Sequence, residues 1–170
     1  MNITIQLANP DDAPDMAEIH ARSWEAAYKD FIPMEYIREA SAKRPDLWKR
    51  IVTNENTTHY IIKADGKTVG IMTIAPPKDE DVDDNYFELH GIYLHPDYFY
   101  KGIGTQAVNF AFDKALELGK KFMNVWVFAE NENAIKFYEK HGFTADNKTN
   151  THDHVSRITK SIRMKKILLP

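Results

Sequence analysis

The chain has 170 residues, of which 43% are hydrophobic and 28% charged, and its formal net charge is −3. This balance fits a soluble globular protein, predicted to form one domain over residues 1–170, and gives no overall attraction to nucleic acid or to an anionic membrane. Cysteine is absent, which excludes disulfides, thiolate catalysis and cysteine-bound zinc. The sequence shows neither a signal peptide nor an apolar run of about 18 residues, so a cytoplasmic location is expected.

The N-terminus is predicted to form a strand followed by a helix. Residues 3–8 alternate between apolar and polar side chains, which is typical of a half-buried strand. Residues 9–28 carry apolar side chains at helical spacing. Asp11 or Asp12 is expected to cap this helix, since short acidic side chains accept hydrogen bonds from its first N–H groups.

A second helix and a hairpin follow. Pro33 and Pro45 are expected to interrupt the chain, and a helix is predicted after Ser41. Two β-rich runs then flank Asp65–Gly66, a dipeptide that favours a tight hairpin turn.

The second half alternates between strands and helices. It contains a strand over 85–96, a helix from about Gly104 to Leu118, a strand over 121–130, a helix over 131–142, and strands near Phe143 and within 156–167. An antiparallel hairpin leading into a parallel β–α–β unit is therefore predicted. The acidic run 78–84 is interpreted as a solvated loop, and the basic tail 157–166 as a strand with one solvated face.

The glycine loop "DYFYKGIGTQAV" (97–108) joins a strand to a helix. Gly102 and Gly104 let the main chain approach a ligand, and the first N–H groups of the helix favour an anion. Lys101 adds a positive charge nearby. A nucleotide P-loop is excluded because Gly-Lys-Ser/Thr is absent. A dinucleotide fingerprint is disfavoured because the loop is long and few residues follow it.

Two histidines near the C-terminus raise the question of a metal. His152 and His154 flank Asp153, and such side chains can bind metal ions. A hydrophilic turn between the last strands is the favoured interpretation, and no metal is predicted.

Two segments resemble the GNAT superfamily of N-acetyltransferases. The segment "ELHGIYLHPDYFYKGIGTQAVNFAF" resembles its coenzyme A loop, and "VWVFAENENAIKFYEKHGF" resembles its closing motif. The resemblance covers nearly the whole chain. It implies a mixed α/β (α+β) fold: a mostly antiparallel sheet of six to seven strands, with a central parallel β–α–β unit and flanking helices.

The resemblance also implies an acetyl-CoA-dependent N-acetyltransferase, an acyltransferase that acts without a metal. The coenzyme would contact Ile92, Tyr93, Leu94, Phe99, Tyr100, Lys101, Gly102, Ile103, Gly104, Thr105, Asn133 and Tyr138. Phe99 stands where the family usually has Arg or Gln. Gly91 is expected to ease a bulge in the strand that lines the coenzyme. Asn133 either caps its helix or contacts the coenzyme.

Tyr138 is the expected general acid, because proton donation from a phenol (pKa about 10) to a leaving thiolate (thiol pKa about 8.5) is uphill by only about 1.5 pKa units. Glu88 is the candidate base, since a charged residue is unusual in an otherwise apolar strand and indicates a functional role. The alternative is a structural carboxylate that is bonded to a neighbour or lies at the end of the sheet. His90 shares its face and could relay a proton. Trp24 and Tyr28 are candidates for the acceptor side.

The expected acceptor is a primary amine of a small molecule, peptide or protein. A homodimer is common in the resembled family and is possible here. The alternative functions are a non-catalytic acyl-CoA-binding or regulatory module and, more remotely, a nicotinamide-dependent enzyme.

Overall fold

The structure is a computed structural model that describes residues 1–168. These residues form the strands β1 (Ile3–Leu7), β2 (Thr58–Ala64), β3 (Lys67–Ala75), β4 (Tyr86–Leu94), β5 (Phe122–Phe128), β6 (Thr144–Asp153) and β7 (Ile158–Ile167). The helices are α1 (Ala13–Tyr28), α2 (Met34–Ile51), α3 (Ile103–Glu117) and α4 (Glu132–Lys140), with 3₁₀ turns at Pro10–Asp12 and Pro96–Tyr98. None of these helices is long and apolar enough to cross a bilayer.

The strands join one sheet in the order β1-β2-β3-β4-β5-β7-β6. Neighbouring strands are antiparallel except β4 and β5, which run parallel because α3 carries the chain back between them. Strand β4 occupies the centre of the sheet. The predicted mixed fold with a central parallel β–α–β unit is thereby confirmed.

The hairpin between β2 and β3 forms as predicted. Ala64 pairs with Lys67 across the turn, and Asp65 and Gly66 both have positive φ, at 49° and 83°. Positive φ at both central residues defines the turn whose twist matches that of antiparallel strands.

Helices cover both faces of the sheet. On one face, α1 and α2 bury Met16 and Trp48 against Ile61 of β2. On the other face, α3 and α4 bury Val108 and Tyr138 in the larger core. The alternating directions of side chains along each strand supply apolar groups to both layers.

The chain enters the first helix through a capped 3₁₀ turn. Asn9 caps that turn by accepting a hydrogen bond from the N–H of Asp11 at 2.9 Å. The carboxylate of Asp12 in turn accepts one from the N–H of Asn9 at 2.8 Å. Asp12 does occupy the N-cap position of α1, as predicted, but its side chain makes no capping hydrogen bond to that helix.

The second helix is longer than predicted. It runs without a break through Ser41 and Pro45, so the expected boundary there is wrong. An internal proline costs about 3 kcal/mol. Pro45 lies on the exposed side, while Ile37 and Trp48 are buried on the other side, and their burial offsets that cost.

The acidic loop is held by an arginine of the basic tail. Arg163 is 1% exposed because β7 lies inside the sheet. Its Nη1 and Nη2 each donate to Asp81 at 2.7 Å, and its Nε donates to Asp146 at 2.9 Å. Asp79 Oδ2 lies 3.1 Å from Nη1. The prediction of a merely solvated loop over 78–84 is therefore wrong for these aspartates.

His152 lies near the end of β6, whereas His154 begins the turn between β6 and β7 that was predicted here, but with a buried side chain. His154 is buried, forms a 2.8 Å hydrogen bond with Thr159 Oγ1 and packs edge-on against Tyr36. His152 forms a 2.9 Å hydrogen bond with Ser161 Oγ. Within residues 1–168, no three His, Cys, Asp or Glu side chains form a group that could hold a metal ion.

Candidate active site

The site is built where the two parallel strands part. Three residue pairs connect them, and Glu88 with Asn124 is the last. Beyond that pair, β4 continues to pair with β3 up to Leu94, while β5 continues to pair with β7 up to Phe128. A wedge therefore opens between β4 and β5, and the main-chain polar groups on its two edges are available to a ligand.

A bulge in β4 lies at the start of this wedge. Thr73 pairs with Gly91 and Ile74 with Leu89, which leaves His90 as the extra residue. A Cβ on Gly91 would come within 2.9 Å of the Tyr93 ring. The expected bulge at Gly91 is present, and glycine is required there because the Tyr93 ring folds back over it.

The glycine loop ends at the N-terminus of α3, where the first N–H groups have no helical partners. Gly102 caps α3 with φ 78°, a value that disfavours residues with a Cβ. The first main-chain hydrogen bond of α3 runs from the N–H of Gln106 to the carbonyl of Gly102 at 3.3 Å. The N–H groups of residues 103–105 precede it and have no partner within the helix, so they can bind a diphosphate.

The second glycine of the loop has a packing role. A Cβ on Gly104 would lie 3.3 Å from the Phe137 ring of α4. Ile103, between the glycines, has a fully buried side chain, so only its main chain can meet a coenzyme. Thr105 is half-buried.

The residues before the first glycine are placed differently from one another. Phe99 is half-buried and follows a 3₁₀ turn. Tyr100 is 91% exposed and has a positive φ of 59°. Lys101 is exposed, with Nζ 4.9 Å above the ring centroid of Tyr98. Their contacts with a coenzyme stay a prediction.

Glu88 has the environment of a base that works near neutral pH. Its Oε1 lies 3.5 Å from Nε2 of His90, and its side chain is 13% exposed. Burial raises the pKa of Glu88 to about 7, and the negative charge of Asp79 adds to this effect. Asp79 Oδ2 itself accepts hydrogen bonds from Asn124 Nδ2 and Trp126 Nε1, at 3.1 and 3.2 Å.

Tyr138 lies on α4, and its side chain packs in the larger core between this helix and the sheet. It is 7% exposed, and its ring packs edge-on against Phe137 and Phe143. Burial raises the pKa of its phenol, and the nearby phenol of Tyr93 raises that pKa further. The hydroxyl therefore stays protonated over the whole physiological range.

Of the two roles considered for Asn133, one is wrong. The cap of α4 is Asn131, whose Oδ1 accepts the N–H of Ala134 at 3.2 Å. Asn133 lies in the first turn and is exposed. Contact with the coenzyme stays a prediction.

The acceptor-side candidates lie at the mouth of the wedge. Trp24 and Tyr28 are half-buried on α1, with ring centroids 5.1 Å apart. Tyr28 also contacts Phe128 at the end of β5, with centroids 5.1 Å apart. The structure thus brings this aromatic pair beside the diverging strands.

Three residues at the site were missed. Asp79 was placed in a solvated loop, and His20 and Arg44 were not considered; Arg44 Nη1 lies 2.9 Å from His20 Nδ1. A signal for Arg44 existed. Ile37, Arg44 and Trp48 are spaced by seven and four residues, which puts a charge on the apolar stripe of α2.

Residues 14–143 match the model of the acetyltransferase (GNAT) family. This chain belongs to the GNAT family. The predicted family is therefore confirmed. The GNAT chain is 28% identical over 141 residues to an uncharacterized N-acetyltransferase of Methanocaldococcus jannaschii, a match that covers 82% of this chain and 60% of that protein.

Two further relatives of this GNAT chain come from Thermoplasma acidophilum. A spermidine N(1)-acetyltransferase is 26% identical over 153 residues, covering 86% of this chain and 91% of that protein. The crystal structure of the PaiA N-acetyltransferase in complex with coenzyme A superposes with a TM-score of 0.79 at 22% identity, covering 98% of this chain and 99% of that one. This likeness shows that the GNAT fold is shared.

Proposed function

We propose that this chain transfers an acetyl group from acetyl-CoA directly to a primary amine. The relatives are N-acetyltransferases, and a protein of the same fold is complexed with coenzyme A. The observation that carries the proposal is the loss of β4–β5 pairing beyond Glu88 and Asn124. The resulting wedge ends beside a helix terminus with unpaired N–H groups, which suits a long ligand with a diphosphate at one end.

The coenzyme is held mainly by main chain. The N–H groups of residues 103–105 bind the diphosphate, and Gly102 lets it approach closely. The pantetheine arm runs along the wedge beside Ile92, Tyr93 and Leu94 and bonds to the open edge of β4. A main-chain N–H of that edge stabilises the oxyanion that forms when the amine attacks the thioester.

Glu88 removes a proton from the acceptor ammonium. A carboxylate with a pKa of about 7 accepts this proton far more readily than an ordinary glutamate does, because an effective base has a pKa close to the working pH. The neutral amine then attacks the acetyl carbonyl. His90, whose pKa is lowered by burial and by Lys78, is neutral at pH 7 and can pass the proton toward solvent.

Tyr138 donates a hydrogen bond to the departing sulfur. Full proton transfer is more unfavourable than the reference difference of about 1.5 pKa units, because burial raises the pKa of the phenol. The hydroxyl therefore stabilises the developing thiolate by a hydrogen bond. The proton that the attacking nitrogen loses as the amide forms is taken up by the departing CoA thiolate. The carbon–sulfur bond breaks as the amide bond is completed.

Titration calorimetry with acetyl-CoA tests the first half of this proposal, and free-thiol release with a panel of amines tests the second. Saturable binding with thiol release is expected. Absence of heat at millimolar ligand rejects the proposal. Binding without thiol release for any amine identifies a non-catalytic acyl-CoA-binding module instead. The expected homodimer and cytoplasmic location stay predictions.

A further inference from the structure

Arg44 of α2 is a buried cation with unused hydrogen-bond donors. The residue is 4% exposed. Its Nη1 contacts His20 Nδ1 at 2.9 Å, and its guanidinium carbon lies 4.5 Å from the ring centroid of Trp24. Its Nε and Nη2 are buried and, within residues 1–168, have no hydrogen-bond partner.

The protonation of His20 adds to this surplus of donors. Its Nδ1 faces Arg44 and also Nε1 of Trp48 at 3.2 Å. Guanidinium and indole N–H groups only donate, so Nδ1 must be the acceptor. Burial, aided by the charge of Arg44, lowers the pKa of His20 to about 2. The neutral ring therefore carries its proton on Nε2, which is buried without a partner in the described chain.

Trp24 flanks this cluster, with its indole N–H facing the phenol of Tyr93. Nε and Nη2 of Arg44 and Nε2 of His20 are therefore the three buried donor atoms of the cluster that have no hydrogen-bond partner within residues 1–168. The charged and phenolic groups nearest to Arg44 are tyrosines, and no described carboxylate pairs with it. A water molecule could accept these hydrogen bonds, but it would leave the buried charge uncompensated.

This donor cluster lies on the acceptor side of the wedge. The His20 ring stacks on Tyr93 of β4 at 4.3 Å between centroids. Trp24 packs on Tyr28, which reaches the end of β5 at Phe128. The carboxylates of the site are Glu88 of β4 and Asp79 of the loop before it, which contacts Asn124 and Trp126 of β5. The part of the wedge proposed to bind the acceptor amine thus has an acidic region at Glu88 and Asp79 and a separate basic region at Arg44.

We infer that the acceptor is an amino acid, or a similarly small amine that carries a carboxylate, and that Arg44 binds this carboxylate while the amino group faces Glu88. The inference rests on the proposed acetyl transfer. A carboxylate matches the fork of a guanidinium and satisfies the orphan donors of Arg44 and His20. A polyamine would instead bring a second ammonium toward a buried cation.

The test compares amino acids with their own amides. Thiol release is measured for the standard amino acids, the corresponding amides and spermidine, with the wild-type chain and with Arg44→Met. The wild-type kcat/KM for the best amino acid should exceed that for its amide. In Arg44→Met, the value for the amino acid should fall roughly 10- to 100-fold, as expected for a charge-assisted hydrogen-bonded pair, and the value for the amide should change little.

Arg38→Met is the matched control, because Arg38 is an exposed arginine of the same helix. It should leave the preference for the acid intact. Removal of an uncompensated buried charge should not lower the unfolding midpoint of Arg44→Met. If that variant fails to fold, Arg44→Lys, which keeps the charge but loses the fork, should reduce the preference for the acid.

Several results would overturn the inference: preference for spermidine or an amide, equal losses for acid and amide in Arg44→Met, or coenzyme binding without turnover of any panel member. Failure to bind acetyl-CoA would instead remove the proposed function itself. Calorimetry with acetyl-CoA on both variants keeps these outcomes separate.

Discussion

Glu88 of β4 lies opposite Asn124 of β5, and beyond this pair the two parallel strands separate. The carboxylate therefore lies at the closed end of the wedge that is proposed to hold the thioester. Burial raises its pKa to about 7, and Asp79 adds to the rise. A group able to accept a proton at neutral pH thus lies at the end of the wedge that is proposed to hold the coenzyme.

Replacing Glu88 with Gln should lower kcat/KM at neutral pH by roughly 100-fold or more, since general base catalysis contributes about that much. Acetyl-CoA affinity should stay the same. In the wild type, kcat/KM should rise with pH through about 7, because the carboxylate must be ionised, and Glu88→Gln should flatten this limb. Full activity with an unchanged pH profile would remove Glu88 from the mechanism.

The same variant has a stability signature. The folded-state pKa of Glu88 lies above its ordinary value of 4.5, so its stabilising contribution is complete below that value and is lost as pH rises through about 7. Glu88→Gln, which stays neutral, should therefore unfold at a higher temperature than the wild type at about pH 8. At about pH 4 the two unfolding temperatures should be the same. Thermal unfolding at both pH values measures this. The opposite ordering would contradict the raised pKa.

Asp79→Asn should lower the pKa of Glu88, because it removes the negative charge that disfavours ionisation. The acidic limb of the kcat/KM profile should move to lower pH. Asp83→Asn is the control, since Asp83 lies in the same loop but bonds to Asn85. A limb that moves equally in both variants, or in neither, would show that Asp79 does not tune the base.

Tyr138→Phe should lower turnover by about 100-fold, the usual scale for loss of one hydrogen-bond donor to a developing negative charge, while acetyl-CoA affinity changes little. Tyr60→Phe is the matched control, because Tyr60 is equally buried at 7% in the same core. Turnover is measured by thiol release and affinity by calorimetry. Unchanged turnover in Tyr138→Phe would show that the hydroxyl has no part in the reaction.

Gly102→Ala should weaken acetyl-CoA binding, whereas Gly66→Ala should not. Both glycines have positive φ, 78° and 83°, and open space where a Cβ would lie. Each substitution should therefore destabilise the fold similarly, by about 1 kcal/mol. Only Gly102 adjoins the proposed diphosphate site. Equal affinity in the two variants would separate the glycine loop from coenzyme binding.

Local patterns in the sequence were enough to predict most of the architecture. The Asp65–Gly66 hairpin and the central strand both follow from turn chemistry and periodicity. The bulge beside Gly91 was also expected, and the Tyr93 ring lies where a Cβ of residue 91 would be. These features depend on residues close together in the chain.

Features that depend on distant partners could not be predicted. Arg163 looked like part of a solvated basic face, but insertion of β7 between β5 and β6 buries it against Asp81. Asn131, rather than Asn133, caps α4, and this could be recognised only once the position of the first helical turn was known. The environment of Arg44 likewise appears only when α2 packs on α1 beside His20.

A crystal structure with bound acetyl-CoA tests the central claim most directly. The diphosphate should accept hydrogen bonds from the N–H groups of residues 103–105, the pantetheine should fill the wedge between β4 and β5, and the sulfur should lie within hydrogen-bond distance of the Tyr138 hydroxyl. A diphosphate bound elsewhere, or a Tyr138 hydroxyl directed away from the sulfur with no room to turn, would contradict it.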